Sequence, residues 1–219
     1  MAAKPAEQAS VREFEIKFDL SAGVTPALEK ALAGLGGEIA VRTLRSTYYD
    51  TAGADLAKAG FSLRLRDDGR NKVQTLKRAG RGAFDRGEWE SPAHGPAPDL
   101  DAAGFGPVRD ILDKAGPLSP RLGNRIERRQ RTVERDGAVI EIALDQGETE
   151  AGGRRAALAE LELELKAGDP LALFALARAL SAATPLRLSF ETKAARARSC
   201  CPAKPPPPSG RSRRPSCPP

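Results

Sequence analysis

The chain reads as a single antiparallel α+β domain with about eight strands and several helices. Three observations lead there. Apolar and charged residues alternate with period two in one segment after another. Most neighbouring segments of this kind are joined by short turn signals, such as Asp68-Gly69 and Asp136-Gly137, which favour hairpins over long crossovers. The 219 residues leave room for one domain of ordinary size and a short tail.

Each element has its own local signal. Val11 to Leu20 puts Glu13, Glu15 and Lys17 on one face and Phe14, Ile16 and Phe18 on the other. Thr25 and Pro26 supply an N-cap and a first-turn proline for a helix reaching about Leu35, where Gly36-Gly37 stops it. Glu38 to Asp50 is rich in Val, Ile, Thr and Tyr and predicts a strand; Asp55 to Ala59 predicts one helical turn. Phe61 to Arg66 sets Arg64 and Arg66 opposite Leu63 and Leu65, and Lys72 to Arg78 returns with Thr75 and Lys77 on one face. Asp85 to Ser91 is a further short strand with Arg86, Glu88 and Glu90 opposite Trp89.

Pro92 to Pro98 is a loop, and Asp99 to Ala115 predicts one or two short helices. Arg125 to Arg135 is a highly charged strand. After the Asp136-Gly137 turn, Ala138 to Asp145 carries Glu141, Ala143 and Asp145 on one face. Ala157 to Lys166 alternates most clearly, with Glu160, Glu162, Glu164 and Lys166 opposite Leu161, Leu163 and Leu165. A helix over Pro170 to Ala183, a short strand at Leu186 to Phe190 and a helical segment around Lys193 complete the body.

Composition narrows the chemistry. Hydrophobic residues make up 40% of the chain, enough for a core, and 29% is charged. The formal net charge of +6 points at first to a polyanionic partner such as nucleic acid. The charge is unevenly placed. Lys204, Arg211, Arg213 and Arg214 put +4 of it into the proline-rich segment from Ser199 to Pro219, and the rest of the chain is nearly balanced. That segment also holds all three cysteines, Cys200, Cys201 and Cys217. The division is therefore a flexible N-terminus over residues 1–10, a folded body over 11–198 and a disordered tail over 199–219 with no chemistry of its own.

A single histidine, His94 in a Pro/Gly loop, excludes a multi-histidine zinc site and argues against a Ser-His-Asp triad. No phosphate-binding GxxxxGK[ST] loop occurs; Gly80 and Gly82 read as a hairpin connection. A cysteine-free body and an N-terminus without an apolar signal region fit a cytoplasmic protein. No segment is long and apolar enough to span a bilayer, and aromatics, at 5%, make no RNA-binding platform, so neither membrane nor nucleic acid is expected as a partner. Oligomeric state is not legible.

The sorting of charge onto strand faces is the informative pattern. One charged face on one strand is normally wet. Here the pattern recurs across most strands, and like charges cluster: Glu13 with Glu15, Glu160 with Glu162 and Glu164, Arg64 with Arg66. Residues at i and i+2 on one face lie about 7 Å apart, so like charges repel unless something of opposite sign binds between them. If the strands close into a barrel with these faces inward, its carboxylates suit a hard divalent cation and its arginines and lysines suit phosphate. Acids and bases together suggest a metal-bound polyphosphate.

The segment EFEIKF, Glu13 to Phe18, resembles the ExExK signature of the CYTH superfamily, the triphosphate tunnel metalloenzymes. Further matches follow in order: STYYDT from Ser46, LRLR from Leu63, QTLK from Gln74, RGEWE from Arg86, IEIALDQGE from Ile140, ELELELKAGD from Glu160 and TKAARA from Thr192. Together they cover about residues 11–198 and point to the bacterial inorganic triphosphatase branch.

The resemblance implies an eight-stranded antiparallel β-barrel, a tunnel with a charged lumen flanked by helices. It implies hydrolysis of tripolyphosphate to diphosphate and phosphate with Mg²⁺ or Mn²⁺. By motif, Glu13, Glu15, Asp145, Glu162 and Glu164 would hold the metal, with Glu160 beside them. Lys17, Arg64, Arg66, Lys77 and Lys193 would bind phosphate oxygens, and Lys77, Glu13 and Glu15 would take part in the chemistry. Glu88 matches the acid of the fifth strand. The sixth strand supplies Arg128 or Arg125, on opposite faces, with Arg128 the expected one. Related tunnels act as thiamine triphosphatases and class IV adenylate cyclases, and a non-catalytic polyphosphate binder is the reading of a different class. Longer relatives carry a helical CHAD domain after the tunnel; none is expected within these residues.

Overall fold

A computed structural model describes residues 11–79, 85–102 and 105–190. Strand β1 (Val11–Asp19) is followed by helix α1 (Pro26–Ala33), β2 (Ala40–Asp50), the short helix α2 (Asp55–Lys58), β3 (Phe61–Asp67), β4 (Lys72–Ala79) and β5 (Asp85–Pro92). Then come α3 (Gly106–Ala115), the long strands β6 (Ser119–Arg135), β7 (Ala138–Ala151) and β8 (Arg154–Ala167), helix α4 (Pro170–Ala183) and the two-residue strand β9 (Arg187–Leu188).

All strand pairings are antiparallel. The order is β5-β4-β3-β2-β6-β7-β8-β1-β9, and an additional β5–β1 pairing closes β1 to β8 into a ring. The eight-stranded tunnel is thus present, and β9 adds a ninth strand beside the far half of β1 at Phe18 and Asp19.

The helices coat this ring from outside, which fixes what faces in. Outward residues Ile16 and Phe18 of β1, Ile140, Ile142 and Leu144 of β7, and Leu161 and Leu163 of β8 pack under Leu28 and Leu32 of α1 and Leu173, Leu176 and Leu180 of α4. A second outer cluster joins Leu63 and Leu76 of β3 and β4 to Leu56 of α2 and Val108 of α3. Because the pleat alternates, burying these apolar faces under helices forces the charged faces into the lumen. Two small apolar clusters interrupt that lumen: Leu44, Ile126 and Leu158, and Tyr48 with Leu122.

Local expectations are met in detail at several points. Thr25 Oγ1 accepts the Leu28 amide at 3.2 Å with Pro26 in the first turn. Asp169 Oδ1 caps α4 by accepting the Leu171 amide at 2.8 Å. Asp50 at the end of β2 accepts the amides of Leu56 and Ala57, fastening α2 back onto the strand that precedes it.

Several boundaries differ. Helix α1 stops at Ala33, short of Leu35, and β2 starts at Ala40 rather than Glu38. Among its described residues, Asp99 to Ala115 gives one helix, α3. Strands β6, β7 and β8 are longer than expected: β6 begins at Ser119, β7 runs on past Asp145 to Ala151, and β8 begins at Arg154. The added lengths contain Gly123, Asn124 and Gly147, residues that read as turn-formers in isolation. At Gly147 the backbones explain the choice. A Cβ there would lie 2.1 Å from the Arg125 carbonyl oxygen and 2.7 Å from Ile126 Cα, so only glycine lets β6 approach β7. Gly80, Gly82, Lys193 and the segment 199–219 lie outside the described residues.

Candidate functional site

A cavity of about 770 Å³ occupies the lumen. Of the residues singled out in the sequence, Glu13, Glu15, Lys17, Arg64, Arg66, Lys77, Arg128, Glu162 and Glu164 line it. Arg125 is exposed, so Arg128 is the sixth-strand arginine that faces inward. His94 is exposed in its loop. Asp145 is fully buried just behind the surface, under Arg128.

Register places these groups. On one side, Glu15 of β1 faces Glu164 of β8, which faces Glu141 of β7, making a row of three carboxylates across three strands. One step along, Lys17 faces Glu162; beyond it, Asp19 faces Glu160, which faces Asp145, which faces Arg128. Asp145, Glu160 and Glu162 each present a carboxylate oxygen within 4.8 Å of the others. Strands β3 and β4 stand across the ring from β7 and β8 and carry Arg64, Arg66 and Lys77.

Charges taken out of water must be paired or hydrogen-bonded, and here they are. Lys17 Nζ is 3.2 Å from Glu15 Oε1 and 3.0 Å from Glu162 Oε1. The first of these is an ion pair without hydrogen-bond alignment, and Glu15 Oε1 is buried with no hydrogen-bond partner among the described residues. Arg128 donates from Nε and Nη2 to both oxygens of Asp145 at 2.7 Å, and from Nη2 to Glu162 Oε2 at 2.6 Å. Burial alone would depress the Arg128 pKa, but Glu162 and Asp145 outweigh it and hold it above its ordinary value.

On the opposite wall the arginines are crowded by like charge. Burial, with help from Arg64 and Arg128, lowers Arg66 to about 10, so it is still a cation at neutral pH. Lys77 bridges the two walls, with Nζ 2.7 Å from Glu13 Oε2 and 3.4 Å from Glu88 Oε1. Burial pushes Glu88 up to about 8, its hydrogen bond to Glu13 and the Glu13 charge add to this, and Lys77 opposes it. Burial would raise Glu13 too, but the Glu88 hydrogen bond and the Lys77 charge leave it below its ordinary value. One proton is therefore held between two carboxyls, on the Glu88 side. Burial raises Glu164, with Glu13 and Glu141 adding to it and Lys166 opposing.

Sequence reasoning left Glu141, Lys166, Thr75 and Glu90 out of the site, although all four line the cavity. The signal was available. Each shares strand parity with a residue that was included: Glu141 with Asp145, Lys166 with Glu164, Thr75 with Lys77, Glu90 with Glu88.

The site thus lies in a closed antiparallel tunnel, apolar outside and lined by facing acids and bases. The CYTH domain model matches residues 11–197, and the chain belongs to that family. Among curated proteins it is similar to an inorganic triphosphatase from Haemophilus influenzae, 29% identical over 196 residues. The match takes in 87% of this chain, which spans only about half (55%) of that relative. Among solved structures it is similar to a putative adenylyl cyclase from Hippeastrum described as having a dominant triphosphatase activity, at TM-score 0.57 and 21% identity, covering 86% of this chain and 96% of that one. It is also similar to PH1819 from Pyrococcus horikoshii, at TM-score 0.56 and 19% identity, covering 84% and 96%. At these identities the two structures speak to the fold.

Proposed function

We propose that this domain hydrolyses inorganic triphosphate to diphosphate and phosphate with the help of a divalent metal ion. The observation that carries the reading is the lumen itself, in which the carboxylates of β1, β7 and β8 face the arginines of β3 across one cavity. Anion binding alone needs only the bases; the row of carboxylates is what calls for a cation to travel with the anion.

The donor set fits Mg²⁺ or Mn²⁺. Glu13, Glu15, Glu162 and Glu164, with Asp145 and Glu160 beside them, offer carboxylate oxygens alone, and Glu15 Oε1 is buried without a hydrogen bond among the described residues. Bound there, the ion would supply charge neutralisation and Lewis acidity at the phosphate chain. The remaining work falls to this chain. Arg64 and Arg66, with Lys193 in the sequence expectation, neutralise the phosphate oxygens and hold the substrate for in-line attack. Lys77, fixed by Glu13 and Glu88, directs its charge at the phosphoryl group under attack. Glu13, kept ionised by the Glu88 hydrogen bond and by Lys77, is the acceptor for the proton of the incoming water. Water oxygen bonds to the terminal phosphorus, the P–O bond to diphosphate breaks, and no covalent enzyme intermediate is needed. Lys17, between Glu15 and Glu162, and Arg128, between Asp145 and Glu162, offset the repulsion among the carboxylates until the substrate and its metal arrive.

The test is phosphate release by purified protein from tripolyphosphate, thiamine triphosphate and ATP, each with Mg²⁺, Mn²⁺ or chelator. Metal-dependent turnover of tripolyphosphate is expected to dominate. Glu13→Ala and Lys77→Ala should each lower kcat by about a hundredfold or more, the range for loss of a positioned acid–base or charge-stabilising group. Undiminished turnover in either variant would sink the site assignment, and preference for thiamine triphosphate or ATP would reassign the substrate.

A further inference from the structure

We infer that Thr75 is a positioning residue that aims Arg64 at the bound anion, acting as a neutral relay between Arg64 and Glu90. The inference rests on the proposed triphosphate site. Its basis is one rung of the barrel. Arg64 of β3 faces Thr75 of β4, and Thr75 faces Glu90 of β5, so the three side chains lie in line on the lumen face. Arg64 Nη2 donates to Thr75 Oγ1 at 3.0 Å, and Thr75 Oγ1 donates to Glu90 Oε1 at 2.9 Å.

The direction of this chain is forced. A guanidinium has no acceptor, so the single threonine proton must go to the carboxylate, and the lone pairs that remain face the arginine. The carboxylate polarises the hydroxyl and strengthens its hold on Arg64. A direct contact would not serve as well: Arg64 Nη2 is 3.9 Å from Glu90 Oε1, and Glu90 is about half exposed and screened by solvent. Thr75 is buried, at 1% exposure, and its rotamer is restricted by β-branching, so it is a fixed point. The neighbouring donor on that edge of the guanidinium is Nε. Arg64 Nε is buried and has no partner among the described residues. With Nη2 held by the relay, Arg64 is fixed in the lining of the cavity, where a bound phosphate oxygen would meet it.

Three variants test this: Thr75→Val, which keeps shape and removes the hydroxyl; Thr75→Ser, which keeps the hydroxyl; and Arg64→Met. Wild-type protein should bind metal-free tripolyphosphate in titration calorimetry and turn it over with Mg²⁺. Thr75→Val should raise both Kd and KM about tenfold, the usual scale for a hydrogen bond to a charged group, while kcat falls less than threefold. Thr75→Ser should restore most of the affinity. In an Arg64→Met background, Thr75→Val should cost nothing more, because the relay would have nothing left to aim.

Unchanged affinity in Thr75→Val overturns the inference. So does an equal loss with and without Arg64, or a fall in kcat at constant KM with a lowered unfolding midpoint, which is what a merely structural threonine would give. Wild-type protein that binds no triphosphate overturns the functional reading beneath it instead.

Discussion

Glu88 carries a strongly displaced carboxyl, and its consequence is a dependence of stability on pH. The group sits beside Lys77, yet burial and the neighbouring Glu13 push it up to about 8. A carboxyl raised in the fold binds its proton more tightly there than in the unfolded chain. Its contribution to stability is therefore full below the ordinary glutamate value and is lost as pH rises from about 4.5 towards 8. Glu88→Gln keeps the shape and a donor for Glu13 but cannot ionise. In the absence of metal, the unfolding midpoint of the variant relative to wild type should climb with pH across that window and level off above it. Parallel midpoint curves from about pH 5 to pH 9 would show that Glu88 does not titrate in this way. The same residue illustrates a limit of sequence reading. RGEWE gave its strand and its face, but nothing in that string says that Glu13, 75 positions earlier, meets it across the β5–β1 closure.

At the scale of elements, the legible parts are those with one strong local signal. The alternation of β1 and β8, the Thr25-Pro26 start of α1 and the apolar run of α4 were plain because each is decided within about ten residues. The lumen face could be read for the same reason: parity alone sends Glu13, Glu15, Arg64, Arg66, Glu162 and Glu164 to one side of the wall. The long extensions of β6 and β7 were not legible, because Gly147 is there to allow a neighbour's approach and not to turn the chain. That reason can be checked. Gly147→Ala forces a Cβ into the Arg125 carbonyl and should cost about 3 kcal/mol, at the upper end of overpacking. In a domain of this size that lowers the unfolding midpoint by about 6–12 °C. Gly123→Ala is the matched control, since its Cβ would meet only the Ser46 carbonyl oxygen at 3.7 Å, an ordinary contact, and the midpoint should hardly move. Equal behaviour of the two variants would remove the close-approach explanation for β6 and β7.

For the whole molecule, the governing fact is that the barrel is inverted: its apolar surface is outside under helices and its charges are inside. Such a lumen opposes folding, because carboxylates face carboxylates at Glu15, Glu164 and Glu141, and Arg64 crowds Arg66. Internal pairs such as Lys17–Glu162 and Arg128–Asp145 relieve only part of this. Ligands of both signs should relieve the rest, and each should help the other. A divalent cation among the carboxylates makes the cavity more attractive to an anion, and a triphosphate among the arginines makes it more attractive to a cation. Binding to the folded state alone stabilises by about 2.7 kcal/mol at a hundredfold excess over Kd, which raises the unfolding midpoint by roughly 5–10 °C here. Tripolyphosphate with Ca²⁺, a hard cation that takes oxygen ligands as Mg²⁺ does, should therefore shift the midpoint by more than the sum of the two shifts measured separately. Reciprocity requires that the ion tighten the anion by the same factor as the anion tightens the ion. Titration calorimetry in both orders of addition measures that factor. A factor of one would mean that acids and bases in this lumen act as independent sites, and the pairing of opposite walls would lose its functional meaning.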